Sequence, residues 1–364
     1  MNPLYFPIIK TRDAELRAME KLSADTKRLI CPIYELTKSR KTSKVPDGDI
    51  HRRMSQLAEI QGEDEFILDL STDKNYINPQ IEQLLLPDHG FNEWYLFIAE
   101  NHRELNIIPM VHVYEDEDGV ADEVKSFVSK ISAIKRKIAV RLPHNLTMPQ
   151  INQCLDAITQ SMDGSCKLIV IFDANFVDRN NESINRVIGS FIECCVATEM
   201  FNQYLSDVVV VSSTFPSDVK SAGNHDSTGE FYVYEEDIYQ AVKADQNTPN
   251  VSYGDYASIN TEQIEMRGGT FVPRIDIAYV ENERDKFFYK RYRRDDGSYP
   301  RCAREVLADR RYINGQNWSN EEIRNASVDK PSGISPAYWI SVRMEYYINL
   351  KVDRRKVDLN SPER

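Results

Sequence analysis

The chain has 364 residues, enough for one large α/β barrel or two ordinary domains, and its 41% hydrophobic and 10% aromatic content excludes general disorder. Its 57 Asp and Glu residues outnumber 45 Lys and Arg, and the net charge of −12 is the wrong sign for a bulk surface that holds nucleic acid. No apolar run approaches the roughly 18 residues that a membrane helix needs.

The start, MNPLYFPIIK, lacks the basic and apolar regions of a signal peptide. The six cysteines (31, 154, 166, 194, 195, 302) form no CxxC and no metal-finger spacing, so they read as reduced, buried thiols of a cytoplasmic protein. Residues 5–10 form an extended opening. A helix follows over 13–24, with Asp13 as N-cap and Leu16, Met19 and Leu22 on one face, and then a first apolar strand over 29–36. A polar loop (37–49) and a helix through Met54, Leu57 and Ile60 lead to a second strand at 66–70.

Residues 94–99 read equally as strand or helix, whereas 107–113 is clearly a strand. The gap between them is too short for a parallel crossover, which needs a dozen or more residues, so the spacing predicts a helix over 92–105. The alternation continues through a helix at 121–134, a strand at 137–142, a helix opened by Pro149 and a strand at 167–172. A helix at 183–204, a strand at 208–211, a helix at 230–244 and an extended run at 251–256 follow, and 272–280 reads as the eighth strand.

Strands such as 168–172 and 208–211 are apolar throughout, which marks a sheet buried on both faces, and alternation with helices makes it parallel. Eight such strands fit a closed (β/α)8 barrel of the TIM type; an open doubly wound sheet is the alternative. The expected division is a barrel over 1–280 and, over 281–364, a basic aromatic arm (281–296) with a helical carboxyl-terminal extension packed on the barrel. Helices are expected near 301–310 and over 336–350.

Several landmarks occur in a fixed order: Tyr5-x-Pro7-x-x-Lys10, Glu15-x-x-Ala18-Met19, Ile30-x-Pro32-x-x-Glu35, Ser213-x-Phe215-Pro216, Tyr253-Gly254-Asp255-Tyr256, and Ile277-Ala278-Tyr279 before an aromatic, basic turn. Together they resemble the beta family proteins of phages, prophages and bacterial genomes, over residues 5 to about 292. The carboxyl end departs from that pattern: Trp339 is followed by Tyr346-Tyr347 where the family has paired histidines. The resemblance implies a setting, phage–host conflict as antiviral defence or counter-defence, and no reaction.

In a parallel barrel the carboxyl ends of the strands carry the site. Those ends supply Glu35, Asp69, His112, Arg141, Asp173, Ser212, Ser213 and Asp255, and Lys10 joins them from the opening stretch. Asp69 and Asp173 suit metal or general-base roles, His112 a general acid, and Arg141 and Lys10 an anion clamp. The plainer reading is a ring of structural ion pairs, since strand ends are polar in any α/β protein, and no HxH, GxSxG or HExxH motif is present. In the arm, Phe287, Lys290, Arg291, Arg293 and Arg294 suit a protein partner better than nucleic acid.

Two functions follow. The first is a sensing or binding protein without a cofactor, working with a protein partner such as an operon-encoded effector and with no membrane. The second is a barrel hydrolase of a phosphate-containing substrate, assisted by Mg2+ held in the strand-end ring.

Overall fold

The computed structural model describes residues 2–113, 120–248, 250–261 and 271–360. Eight parallel strands close into a barrel: β1 (Phe6–Lys10), β2 (Ile33–Leu36), β3 (Phe66–Leu70), β4 (Ile107–Val111), β5 (Lys137–Pro143), β6 (Lys167–Phe176), β7 (Leu205–Ser213) and, after a strand elsewhere, β9 (Ser252–Asp255). A single side-chain alternation runs through all of them. Phe6, Ile8, Ile33, Ile67, Met110 and Ile171 belong to the packed lumen, while the residues alternating with them along each strand face outward and join the core beneath the surrounding helices.

The barrel is the expected fold, closed by different strands. The opening stretch 6–10 is itself the first strand, so Lys10 reaches the mouth as a strand end. The eighth strand is β9, which pairs with both β7 and β1. Closure requires Gly254: a Cβ there would sit 2.7 Å from Val211 Cγ2 and 2.8 Å from the Phe6 carbonyl oxygen. The ambiguous stretch 94–99 is helical, as the spacing predicts, although the helix ends at Asn101 and not at 105: Asp88–Leu96 runs into a wider turn at Phe97–Asn101, and Trp94 Nε1 donates to the Met110 carbonyl at 3.0 Å.

Residues 272–280 do not form a barrel strand. β10 (Arg274–Glu281) turns through Asn282 and Glu283, both at positive φ, directly into β11 (Arg284–Arg291). A two-residue turn of this kind forces antiparallel pairing, so this strand cannot join a parallel barrel. The division expected at residue 280 cuts this hairpin. The third strand of the sheet is β8 (Thr228–Tyr232), which takes Glu230 out of the helix expected over 230–244; that helix is Glu235–Lys243.

The three-stranded sheet has its own core, in which Phe287 stacks on Phe231 at 5.5 Å and on Tyr347 at 5.6 Å. The 25-residue helix Pro336–Asn360 joins the two cores. Met344, Ile348 and Val352 pack on the barrel, and Trp339, Val342 and Tyr346 on the second sheet. Five of the six cysteines, all but Cys154, are buried as thiols. Among the described residues no helix is long and apolar enough to cross a membrane.

Candidate functional site

The inward alternation carries five ionisable side chains up the lumen wall to the barrel's carboxyl-terminal mouth. Lys10, Glu35 and Asp69 lie side by side in register on β1, β2 and β3, and Arg141 reaches across from β5. Asp173 on β6 completes the set. These residues crown a lumen already filled with Ile, Met and Val, so their charges meet above an apolar floor, around a cavity of about 370 Å³.

Arg141 is the hub. Its Nε donates to Asp173 Oδ2 at 2.9 Å, and its Nη1 to Asp69 Oδ2 at 2.8 Å and Glu35 Oε2 at 3.4 Å. Its Nη2 donates to the Tyr256 hydroxyl at 3.0 Å and lies 2.7 Å from Asp173. The Tyr256 hydroxyl donates in turn to Asp173 Oδ2 at 2.6 Å. Every guanidinium nitrogen therefore faces an oxygen of the protein. Burial opposes the charge of Arg141, but Tyr256 and the three carboxylates raise its pKa well above the ordinary arginine value. The arginine of the expected anion clamp has no free edge.

Lys10 stands at the rim, 3.8 Å from Glu35 Oε1 and over the Tyr76 ring at 4.7 Å, while Ser71 Oγ donates to the same Glu35 oxygen at 2.9 Å. Burial raises the Asp69 pKa against the pull of Arg141. His112 lines the cavity but packs its ring against Trp94 and Phe91, and its Nε2 has no hydrogen-bond partner among the described residues. Burial lowers its pKa to about 4, so near neutral pH it is uncharged and holds no spare proton for the general-acid role.

Asp255 is not part of the mouth. Its place in the strand alternation turns it outward, where Tyr5 donates to Oδ1, Tyr253 and Tyr347 each donate to Oδ2 at 2.6 Å, and the Ala257 amide donates to Oδ1 at 2.7 Å. Ser212 shares that outward parity, and Ser213 Oγ is held by the Ile259 carbonyl at 2.9 Å. The arm is no free arm. Phe287 is 1% exposed, Lys290 pairs with Asp309 at 3.1 Å, and Arg291 pairs with Asp226 at 2.5 Å; only Arg293 and Arg294 of its five candidates are exposed.

The arrangement does not fit the Mg2+ of the hydrolase reading. The three carboxylates converge on a guanidinium, and among the described residues no group of three or more His, Cys, Asp or Glu is placed to hold a metal ion.

A family model described as Beta protein matches residues 5–353. The chain belongs to the Beta protein family. It is a homologue of a phage protein, being 27% identical over 355 residues to "Protein beta" of Enterobacteria phage P4, with 97% of this chain and 94% of that protein covered. Among solved structures, a biosynthetic arginine decarboxylase from Campylobacter jejuni aligns at TM-score 0.40 and 8% identity, over 97% of this chain and 57% of that one. A spore cortex-lytic enzyme from Bacillus megaterium aligns at TM-score 0.28 and 10% identity, over 95% and 74%.

The Beta protein landmarks acquire physical roles in this frame. In Tyr253-Gly254-Asp255-Tyr256, Gly254 permits closure, Asp255 faces the helix Pro336–Asn360, and Tyr256 faces the mouth. Tyr347, in the region where the resemblance places paired histidines, donates to Asp255. Tyr256 and Ser71 are the mouth residues that reading for ionisable strand ends passes over. Position 256, two residues beyond Gly254 on the inward parity, is the signal that could have found Tyr256.

Proposed function

We propose that this Beta protein is a binding component of phage–host conflict that acts through a protein partner, with the barrel mouth as its ligand-recognition site. One observation carries the reading: the groups a hydrolase would need are already committed. Asp69 and Asp173 are bound to Arg141, Arg141 has no free edge for a phosphate, and His112 is uncharged near neutral pH. Such a network holds its shape and offers a preformed cavity, which suits recognition. The family setting supplies the context of phage biology. Partner contact through the former arm is confined to its exposed ends, the turn at 281–284 and Arg293 with Arg294.

A phage-challenge assay of cells carrying the chain tests this, with the partner identified alongside. Wild type should change plaquing efficiency. The Lys10→Ala/Glu35→Gln double variant, which alters the mouth rim, should lose the effect, and Arg293→Ala/Arg294→Ala should lose the partner while the chain stays folded. Hydrolysis of a phosphate ester by the purified chain with Mg2+ or Mn2+, abolished by Asp69→Asn, would overturn the proposal in favour of the enzyme.

A further inference from the structure

We infer that the ligand of the barrel mouth is a small organic cation, one bearing an ammonium or guanidinium group. This rests on the binding reading above and fixes the chemistry of what is bound. Hydrogen-bond supply and demand in the cavity carry the inference. The cation that lines it is spent: Arg141 faces protein oxygens at every nitrogen, while Lys10 stands outside the lining at the rim, 3.8 Å from Glu35 and over the face of Tyr76. Its acceptors are not. A carboxylate oxygen accepts about two hydrogen bonds. Among the described residues Asp69 Oδ1 receives only the Leu70 amide at 2.8 Å, Asp173 Oδ1 only the Asn175 amide at 2.7 Å, and Glu35 Oε2 only the 3.4 Å contact from Arg141.

Charge points the same way. Among the described residues Glu35, Asp69 and Asp173 face two cations, Arg141 and Lys10, so within that set one negative charge is uncompensated. An independent observation comes from His112. It is 9% exposed, it lines the same cavity, and its Nε2 is buried without a partner. Where that nitrogen is the unprotonated one of the neutral ring it accepts a hydrogen bond, which an ammonium or guanidinium N–H can donate. The remaining polar lining, Thr72 and Asn175, is uncharged, and about 370 Å³ accommodates a group the size of a lysine or arginine side chain. An anion would add to that negative charge and find no free edge on Arg141.

The cation has two possible sources, a free amine or a basic side chain presented by the protein partner. Calorimetric titration of the full chain separates them, using n-butylammonium, N-methylguanidinium, and a lysine-containing peptide blocked at both ends. Butyrate, inorganic phosphate and Mg2+ serve as comparisons. At least one organic cation should bind in the roughly millimolar range or tighter, and both anions should not. Glu35→Gln should weaken that binding about tenfold, the cost of one charge-assisted hydrogen bond. Should that variant fold poorly, the wild type still decides: the His112 imidazole 15N resonances should shift on adding the organic cation and stay fixed with phosphate. Binding of phosphate or butyrate in place of the cations, tighter binding of Mg2+ than of any organic cation, or no binding of any probe would each overturn the inference. Because the phage-challenge result does not depend on these probes, a failure here leaves the conflict role standing and removes only the ligand class.

Discussion

Asp255 and Tyr256 are neighbours in sequence and belong to two different machines. Tyr256 turns inward and bridges Arg141 to Asp173 at an open mouth. Asp255 turns outward into a sealed seam, caged by three tyrosine hydroxyls beneath the helix Pro336–Asn360. Further along that seam Lys351 bonds both Glu236, at 3.0 Å, and Asp285, so the helix is fastened to the barrel and to the second sheet at once. Burial opposes the charge on Glu236, but Lys351, Arg355 and Arg354 hold its carboxyl well below the usual range. Both regions bury carboxylates with cations. The seam fills its space with protein, while the mouth keeps a cavity and leaves acceptors over, which is what separates a joint from a site.

The sharpest way to break this contrast is to remove the hub. Arg141→Met leaves three carboxylates facing one another, and a buried ion group that loses its cation typically costs about 3–5 kcal/mol. Chemical denaturation at pH 7 should show a loss of that order. The loss should shrink as the pH is lowered, because protonating the stranded carboxylates removes their repulsion. A loss below about 1 kcal/mol would mean that the network is as weak as a surface ion pair.

A second, smaller effect concerns His112. Its folded pKa of about 4 lies below the ordinary 6.5, so between those values the unfolded chain binds more protons. The stability this gives is present above pH 6.5 and is lost as the pH falls towards 4, by at most roughly 3 kcal/mol. Glu235 opposes it: burial raises its pKa to about 7, so its contribution weakens as the pH rises from the ordinary carboxylate range. The test is therefore a difference. Wild type should lose more stability than His112→Gln across pH 6.5 to 4, and parallel profiles would show that the imidazole is not buried as described.

Gly254→Ala probes the inward parity itself. The new Cβ would meet the Phe6 carbonyl and Val211, and overpacking of this kind costs about 1–3 kcal/mol, read as a lowered melting temperature. Tyr347→Phe is the mildest. It removes one of three hydroxyl donors from Asp255, for about 1 kcal/mol, and should leave ligand binding at the mouth unchanged. A change in mouth affinity would show that seam and site are coupled.

Much of this was legible in the residues. Strand ends could be found from apolar runs, so Lys10, Glu35, Asp69, Arg141 and Asp173 were read to one face, where the structure brings them together. Asp255 was misassigned because a strand end gives height and not face; its parity follows only once β9 is known to close the barrel between β7 and β1. The arm misled for a similar reason. Phe287, Phe288 and Tyr289 look exposed beside so many cations, yet those cations find carboxylates such as Asp309 and Asp226 while the rings fill a second core. Long-range pairing decides such cases, and it leaves little trace in local pattern.

The most direct measurement is the side-chain NMR spectrum of Arg141 in the wild-type chain. A guanidinium held on every side should give separate, slowly exchanging Nη resonances that do not move when inorganic phosphate is added. A single averaged Nη signal, or one that shifts with phosphate, would contradict the locked mouth and restore the anion clamp.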